Sequence, residues 1–259
     1  MCRLFGLRAN KPVDVEFSLA TGPLTMRKLG AKHPNGWGIG WYERNSPAVK
    51  KEPIAAATSP DLPHIATEVR SHLVITHVRK ATCGDVTEAN CHPFKYRNWL
   101  FAHNGSVDRD ALLGKLDSTH RSAIQGQTDS EVFFHWILQN VELTRSVPEG
   151  LRTALKEMAG FTGLNLILTD GANLYAYRNA AKSPGYYSLF YLRRDPKPDS
   201  FEEFHSAEVQ ALLRSKALRG EKAVLVCSER LTNEAWQEIP LGSLLVVAEN
   251  LSANLVEVK

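Results

Sequence analysis

Leu73-Val74-Ile75-Thr76-His77-Val78 and Leu164-Asn165-Leu166-Ile167-Leu168-Thr169 are both apolar on both parities. Successive side chains of a strand point to opposite faces, so a strand with one wet face alternates. These two do not, and each belongs in a sheet covered on both sides, by helices on one face and a second sheet on the other. Short apolar runs of similar length recur at 3–7, 38–42, 99–103, 174–178, 188–192, 223–228 and 244–248. Helical patterns lie between groups of them. The best spans 128–141, where Thr128-Asp129-Ser130-Glu131 reads as a capping box and Phe133, Ile137 and Val141 recur beside Val132 and Trp136. Another spans 147–159, with Pro148 in its first turn, Leu151, Leu155 and Met158 on one face, and Gly160 as a stop. Runs of strands with helices grouped between them make the class α+β rather than a strict βαβ alternation.

At about 150 residues per domain, 259 residues make one large domain or two small ones. No repeat, low-complexity segment or Pro/Gly/Ser-rich linker divides the chain, which favours one. A chain of this size folds without disulfides or a structural metal. Lys and Arg number 31 against 28 Asp and Glu, a net charge of +3, too even for nucleic-acid or membrane-surface binding without a localised stripe. The short basic stretches at 193–197 and 214–222 read as solvated loop and helix end. No run approaches the ~20 apolar residues of a membrane span, and 4–7 is too short for the ~7–15-residue core of a signal peptide. A cytoplasmic protein is expected. The four cysteines, Cys2, Cys83, Cys91 and Cys227, form no CxxC pair and no disulfide framework, which suits a reducing compartment.

Cys2 occupies a position with chemical consequences. If Met1 is removed, as expected before a small residue, the thiol shares its residue with a free α-amine of pKa about 7.7–8.0, a general base matched to neutral pH. Such a pair can attack a carbonyl in the manner of N-terminal nucleophiles. The bland alternative is a small buried hydrophobe at the start of a strand. Asn104-Gly105, at the end of the 99–103 run, offers a side-chain amide and a glycine N–H that can be aimed at one oxyanion. Its alternative is a hairpin turn, although the next stretch, 106–116, reads as a capped helix instead of a returning strand. Arg79, just after the 73–78 run, can grip a carboxylate in bidentate fashion, and Asp129 can hold an ammonium; each has an ordinary structural role as its alternative. Gly36-Trp37-Gly38-Ile39-Gly40 is not a phosphate loop, because no helix comes after it. His77, His103, Cys83, Cys91 and His92 lack metal-ligand spacing.

Taken in order, Cys2, the stretch His77-Val-Arg79-Lys-Ala-Thr82-Cys-Gly84, then His92-Pro93-Phe94, Asn98-Trp99 with Phe101-Ala-His-Asn-Gly105, and Gly126-Gln-Thr-Asp-Ser-Glu131 resemble the glutaminase domain of class II glutamine amidotransferases, which are N-terminal-nucleophile hydrolases. The stretches 163–171 and 228–240 are similar to those of the stand-alone, YafJ-type members. Asn35 and Lys80 depart from the pattern, standing where many relatives carry Asp and Trp.

The resemblance implies a four-layer αββα sandwich of two stacked antiparallel sheets, forming a single glutaminase domain over residues 2–259. It implies Cys2 as nucleophile with its own amine as base, and Asn104 and Gly105 as the oxyanion hole. Arg79, Thr82 and His92 would lie at the substrate α-carboxylate and Asp129 at the α-ammonium. The expected reaction is hydrolysis of L-glutamine or a γ-glutamyl amide through a γ-glutamyl thioester, with no cofactor and no metal. The released ammonia would pass to a separate synthase, since this length has no room for one. Two other readings stay open: a γ-glutamyl-conjugate hydrolase without ammonia transfer, and a non-catalytic glutamine-binding module.

Overall fold

The computed structural model describes residues 2–195 and 221–258. Met1, most of the 214–222 basic stretch and the end of the 193–197 stretch lie outside the described residues. Numbered in chain order, the strands β1 (Arg3–Val13), β2 (Trp37–Glu43), β3 (Ser46–Glu52), β4 (Ser71–Val78), β9 (Phe190–Arg194), β10 (Ala223–Cys227) and β11 (Gln237–Glu238) form one sheet, ordered β11-β9-β10-β1-β4-β2-β3. The second sheet contains β5 (Phe94–Tyr96), β6 (Trp99–Ser106), β7 (Gly163–Thr169), β8 (Leu174–Arg178), β12 (Ser243–Val247) and β13 (Ala253–Glu257), ordered β13-β12-β8-β7-β6-β5. Neighbouring strands in both sheets run antiparallel.

Three apolar seams join four layers, and the two strands with no polar face explain why. In β7, Leu164, Leu166 and Leu168 pack against α5 (Asp129–Thr144) and α6 (Val147–Lys156), while Ile167 faces the other sheet. In β4, Leu73 and Ile75 face the other sheet, whereas Val74 and Val78 join Met26 of α1 (Met26–Leu29) and Leu62 and Ala66 of α2 (Asp61–Glu68). Leu4, Leu100, Ala102, Ala176, Val226 and Leu245 complete the middle seam. The expected αββα sandwich is therefore the observed architecture.

The glycine-rich stretch 36–40 is the start of β2, where Trp37 and Ile39 enter the outer seam and the intervening glycines face the second sheet. A Cβ on Gly38 would lie 2.3 Å from the His92 carbonyl oxygen, so the close approach of backbone to backbone, not phosphate binding, accounts for the motif. The edge strands β3 and β13 escape sequence reading because they are half-exposed or exposed and carry no sustained apolar run, β3 also bearing Lys50 and Lys51.

The capping box is only half formed. Thr128 is the N-cap and accepts from Glu131 N at 3.2 Å, but the Glu131 carboxylate turns to Gln125 N (2.9 Å) and Gly126 N (2.6 Å). Helix α5 is also buried nearly all round, more than its one apolar stripe foretells, because α3 (Arg109–Lys115), α4 (Ser118–Ser122) and α6 cover its outer side. Its polar residues are satisfied there: Gln139 bonds Asp117 N (2.7 Å) and Lys115 O (3.1 Å).

Candidate active site

The sheet register places the start of β1, the start of β2 and the end of β4 side by side, pairing Arg3 and Trp37 each with Val78. Cys2 therefore lies beside Arg79 and Lys80. Its Sγ is bracketed by one residue's backbone, accepting from Lys80 N at 3.2 Å and donating to Lys80 O at 3.4 Å. Burial pushes the Cys2 thiol up, opposed by the Lys80 N–H bond. A thiol so poised is protonated at rest and must lose its proton as it attacks.

The second sheet reaches this point through β6. Asn104 shares a face with Leu100 and Ala102, toward the first sheet, and its Nδ2 donates to the Cys2 carbonyl at 3.1 Å across the seam. An amide nitrogen has two donors, so one remains for another acceptor. Arg3 Nη1 also reaches the Cys2 carbonyl (3.2 Å) while Nη2 pairs with Glu229 at 2.6 Å, which fixes the entry of the chain into β1. Gly105 is the register partner of Leu164, whose N–H is spent on Asn179 O at 2.9 Å on the opposite side. In an antiparallel ladder, members of such a pair turn their backbone groups away from each other. The Gly105 N–H thus points away from β7, to the side where β5 has already ended. The strand runs on through Ser106 before α3 begins with Asp108 as its N-cap, so Asn104-Gly105 is not a hairpin turn.

Arg79 and Asp129 are both buried and belong to one bonded network. The Arg79 guanidinium is wrapped by carbonyls of the loop after β4, Nη2 to Cys83 O (2.8 Å) and Gly84 O (3.3 Å), and Nη1 to Asp85 O (3.1 Å). Asp129 opens α5 from the helical layer; Oδ2 accepts from Val107 N at 2.9 Å and Oδ1 from Ser130 N at 2.8 Å and Cys83 Sγ at 3.2 Å. Cys83, unassigned in the sequence, thus touches both charged groups. Ser130 carries the network inward to His103, whose Nδ1 lies 2.9 Å from the hydroxyl. His103 Nε2 lies 3.2 Å from Gly163 O, which assigns the proton to Nε2 and leaves Nδ1 to accept.

Thr82 is exposed in the same loop. His92, expected near the substrate α-carboxylate, is buried, its ring packed 4.2 Å from His77 and 4.5 Å from Phe94 between centroids. Neither ring nitrogen of His92 makes a hydrogen bond, and burial holds both His77 and His92 neutral, His77 at about 3. Asn35 braces the loop from β2's approach, accepting from Ala81 N at 3.0 Å. Cys91 is a buried thiol of the same loop, donating to Thr87 O at 3.4 Å and lying beside the Arg79 guanidinium, while Cys227 is buried elsewhere and pushed up to about 12 by burial. Among the described residues no group of three or more His, Cys, Asp or Glu side chains is disposed to hold a metal, and no helix is long and apolar enough to cross a membrane.

The chain is similar to known proteins along its length. The family described as glutamine amidotransferases class-II matches residues 1–257. The YafJ protein of Escherichia coli is 29% identical over 258 residues, covering 93% of this chain and 95% of that one. Over 87 residues, 33% of this chain and 37% of the other, it is 34% identical to a gamma-glutamyl-hercynylcysteine sulfoxide hydrolase of Mycobacterium tuberculosis. A solved structure of a glutamine aminotransferase class-II domain protein from Silicibacter pomeroyi shares its fold, with a TM-score of 0.66 over 99% of both chains at 23% identity. A family match over nearly the whole sequence, joined to this four-layer architecture, makes the chain a member of the class II glutamine amidotransferases, enzymes of the N-terminal-cysteine nucleophile type.

Proposed function

We propose that the protein hydrolyses the γ-amide of L-glutamine or of a γ-glutamyl amide through a thioester on Cys2, acting as one catalytic domain over residues 2–259 once Met1 is removed. The observation that carries this reading is the convergence on Cys2: its thiol bracketed by Lys80 and its carbonyl held by Asn104 across the sheet seam. The α-amine of Cys2 takes the thiol proton as sulfur attacks the amide carbon. The free donor of Asn104 and the Gly105 N–H receive the oxyanion. The α-ammonium then protonates the departing amine, and water resolves the thioester to glutamate and thiol.

Substrate recognition rests on the charged pair. Arg79 meets the α-carboxylate with Thr82 and His92 near it, and Asp129 meets the α-ammonium. The charged groups are buried and bonded into one network, so they are held in place before substrate arrives. Where the donor is glutamine, a separate synthase receives the ammonia, in a reducing compartment where the thiol persists. The test is direct. Purified protein incubated with L-glutamine should release ammonia, a diazoketone analogue of glutamine should label Cys2 in peptide maps, and Cys2→Ser should abolish both. Absence of ammonia or amine from every γ-glutamyl donor, with Cys2 unlabelled, would exclude the reading.

A further inference from the structure

Beyond Gly105 the β6–β7 pair continues into a groove that glutamine hydrolysis has no use for. The groove has a volume of about 560 Å³ and is lined by Phe161, Thr162, Lys182, Ser183, Tyr186 and Tyr187. Ammonia is about the size of a water molecule, whose share of liquid volume is about 30 Å³. The groove instead falls in the range of ~300–1,000 Å³ typical of small-molecule sites.

Its position relative to the catalytic groups is set by the register. Ser106 pairs with Gly163 and shares a face with Asn104, two residues or about 7 Å back along β6. The Tyr187 ring covers that face at Gly163: a Cβ there would lie 2.5 Å from the ring. Thr162 locks the floor to β6, donating its N–H to Ser106 O (3.0 Å) and accepting from Ser106 N at Oγ1 (3.0 Å), where the Tyr187 hydroxyl also donates (3.0 Å). One wall of the groove, the Tyr187 ring, thus lies on the Cys2 side of the second sheet at the start of β7, while Phe161 packs toward the helical layer. The Arg79–Cys83–Asp129 network meets the end of β6 through Val107 N, and its loop leads into β5. A substrate whose scissile carbonyl sits at Gly105 can then direct its amino-acid head to the charged pair and its leaving group to the β7 side.

The wall is built rather than loose. Buried Arg178 fastens the segment that forms it, bonding Pro184 O (3.0 Å), Tyr187 O (2.9 Å) and Ile239 O (2.8 Å) and pairing with Glu238 at 2.7 Å. Asn165 Nδ2 holds the same segment through Tyr187 O at 3.1 Å and Ser188 O at 3.2 Å. Two tyrosines and a phenylalanine supply ring faces, and exposed Lys182 supplies a positive charge at the rim.

We propose that this groove is a leaving-group subsite, taking the amine portion of a γ-glutamyl amide in which that amine is aromatic or apolar and carries a carboxylate. The inference rests on the hydrolysis proposed above and names its substrate class. The chemistry is unchanged: the Cys2 S–C bond forms as the C–N bond breaks, the amine leaves with the proton delivered by the α-ammonium, and water returns the thiol. Only the size of the departing amine differs. Ring stacking and the Lys182–carboxylate attraction favour the larger amine over ammonia.

The experiment compares kcat/KM for L-glutamine, γ-glutamyl methylamide and a γ-glutamyl anilide bearing a ring carboxylate. The full-length protein should favour the carboxyanilide over glutamine by about tenfold or more, with the methylamide close to glutamine. Lys182→Met and Tyr186→Ala should each lower the carboxyanilide value about tenfold and leave glutamine within twofold, which also reports intact folding. A carboxyanilide turned over no better than glutamine, or variants that lower both donors or neither, would overturn the subsite while leaving the hydrolytic reading standing. Failure of all three donors, with Cys2 refractory to the diazoketone, would remove the hydrolytic reading and the subsite with it.

Discussion

The carbonyl oxygen of Gly163 stands where a side chain on Gly105 would begin: a Cβ built on Gly105 would lie 1.8 Å from it. Backbone on both sides leaves nothing flexible to yield. Gly105→Ala must therefore push β6 away from β7, displacing the 105 N–H and the neighbouring Asn104 amide together. Loss of one oxyanion donor costs about 10²–10³ in kcat. The variant should show at least that loss and a lowered unfolding midpoint, whereas wild-type turnover in folded Gly105→Ala would remove Gly105 from the oxyanion site.

Cys83 joins the two charged poles, its carbonyl on Arg79 and its thiol on Asp129. Only the thiol can be removed by substitution. A hydrogen bond to a charged group contributes about 1.5–3 kcal/mol, a weak S–H donor falls at or below the low end of that range, and 1.4 kcal/mol is tenfold. Cys83→Ala frees the Asp129 carboxylate to reorient and should raise KM for the amide donor about tenfold with kcat within twofold. Cys83→Ser, which keeps a donor, should restore most of the affinity. A fall in kcat at unchanged KM would assign Cys83 to the chemistry instead.

Much of the fold is legible in the sequence because burial writes itself as apolar parity. Leu164 to Leu168 and Leu73 to Ile75 announce sheets covered on both faces, and the structure supplies a separate seam for each parity. Cys2, Asn104, Gly105, Arg79 and Asp129 are each readable from residue chemistry, and the geometry brings them to one end of the sandwich. The features that escape reading depend on contacts distant in sequence. Lys80 acts through its backbone, for which no residue type is a signal. Cys83 is informative only once Asp129, 46 residues on, lies beside it. The packing of the His92 ring on His77, fifteen residues earlier, is likewise visible only in the fold. The groove walls at Tyr186 and Tyr187 look in sequence like an ordinary polar turn.

His77 makes stability depend on acid in a determinable direction. Burial, then the nearby Arg79 charge, lowers its folded value to about 3, while the unfolded imidazole titrates near 6.5. Below about 6.5 the unfolded chain binds a proton that the folded chain refuses, so stability is complete above that pH and falls as pH drops toward 3. Once the unfolded imidazole is fully protonated the slope is about 1.4 kcal/mol per pH unit, so one such group contributes roughly 2–3 kcal/mol between pH 7 and 4.5. Urea unfolding of His77→Phe at pH 7 and 4.5 should show a difference between the two pH values smaller by about that amount than in wild type. An unchanged difference would mean that His77 is protonated in the folded state.

The strictest test concerns a single amine. If the base is the α-amine of Cys2, kcat/KM should rise with pH through a group of pKa about 7.7–8.0, well below the ~10.4 of an unperturbed lysine. Protein whose intact mass retains methionine has that nitrogen locked in a peptide bond, where it accepts no proton. It should be inactive at every pH even though its thiol still reacts with iodoacetamide. Enzymatic removal of the methionine should then restore turnover in proportion to the fraction of chains processed. Proportionality separates a missing base from a misfolded site, because misfolded chains would lose methionine without gaining activity. Full activity in the methionine-bearing form would transfer the role of base to another group.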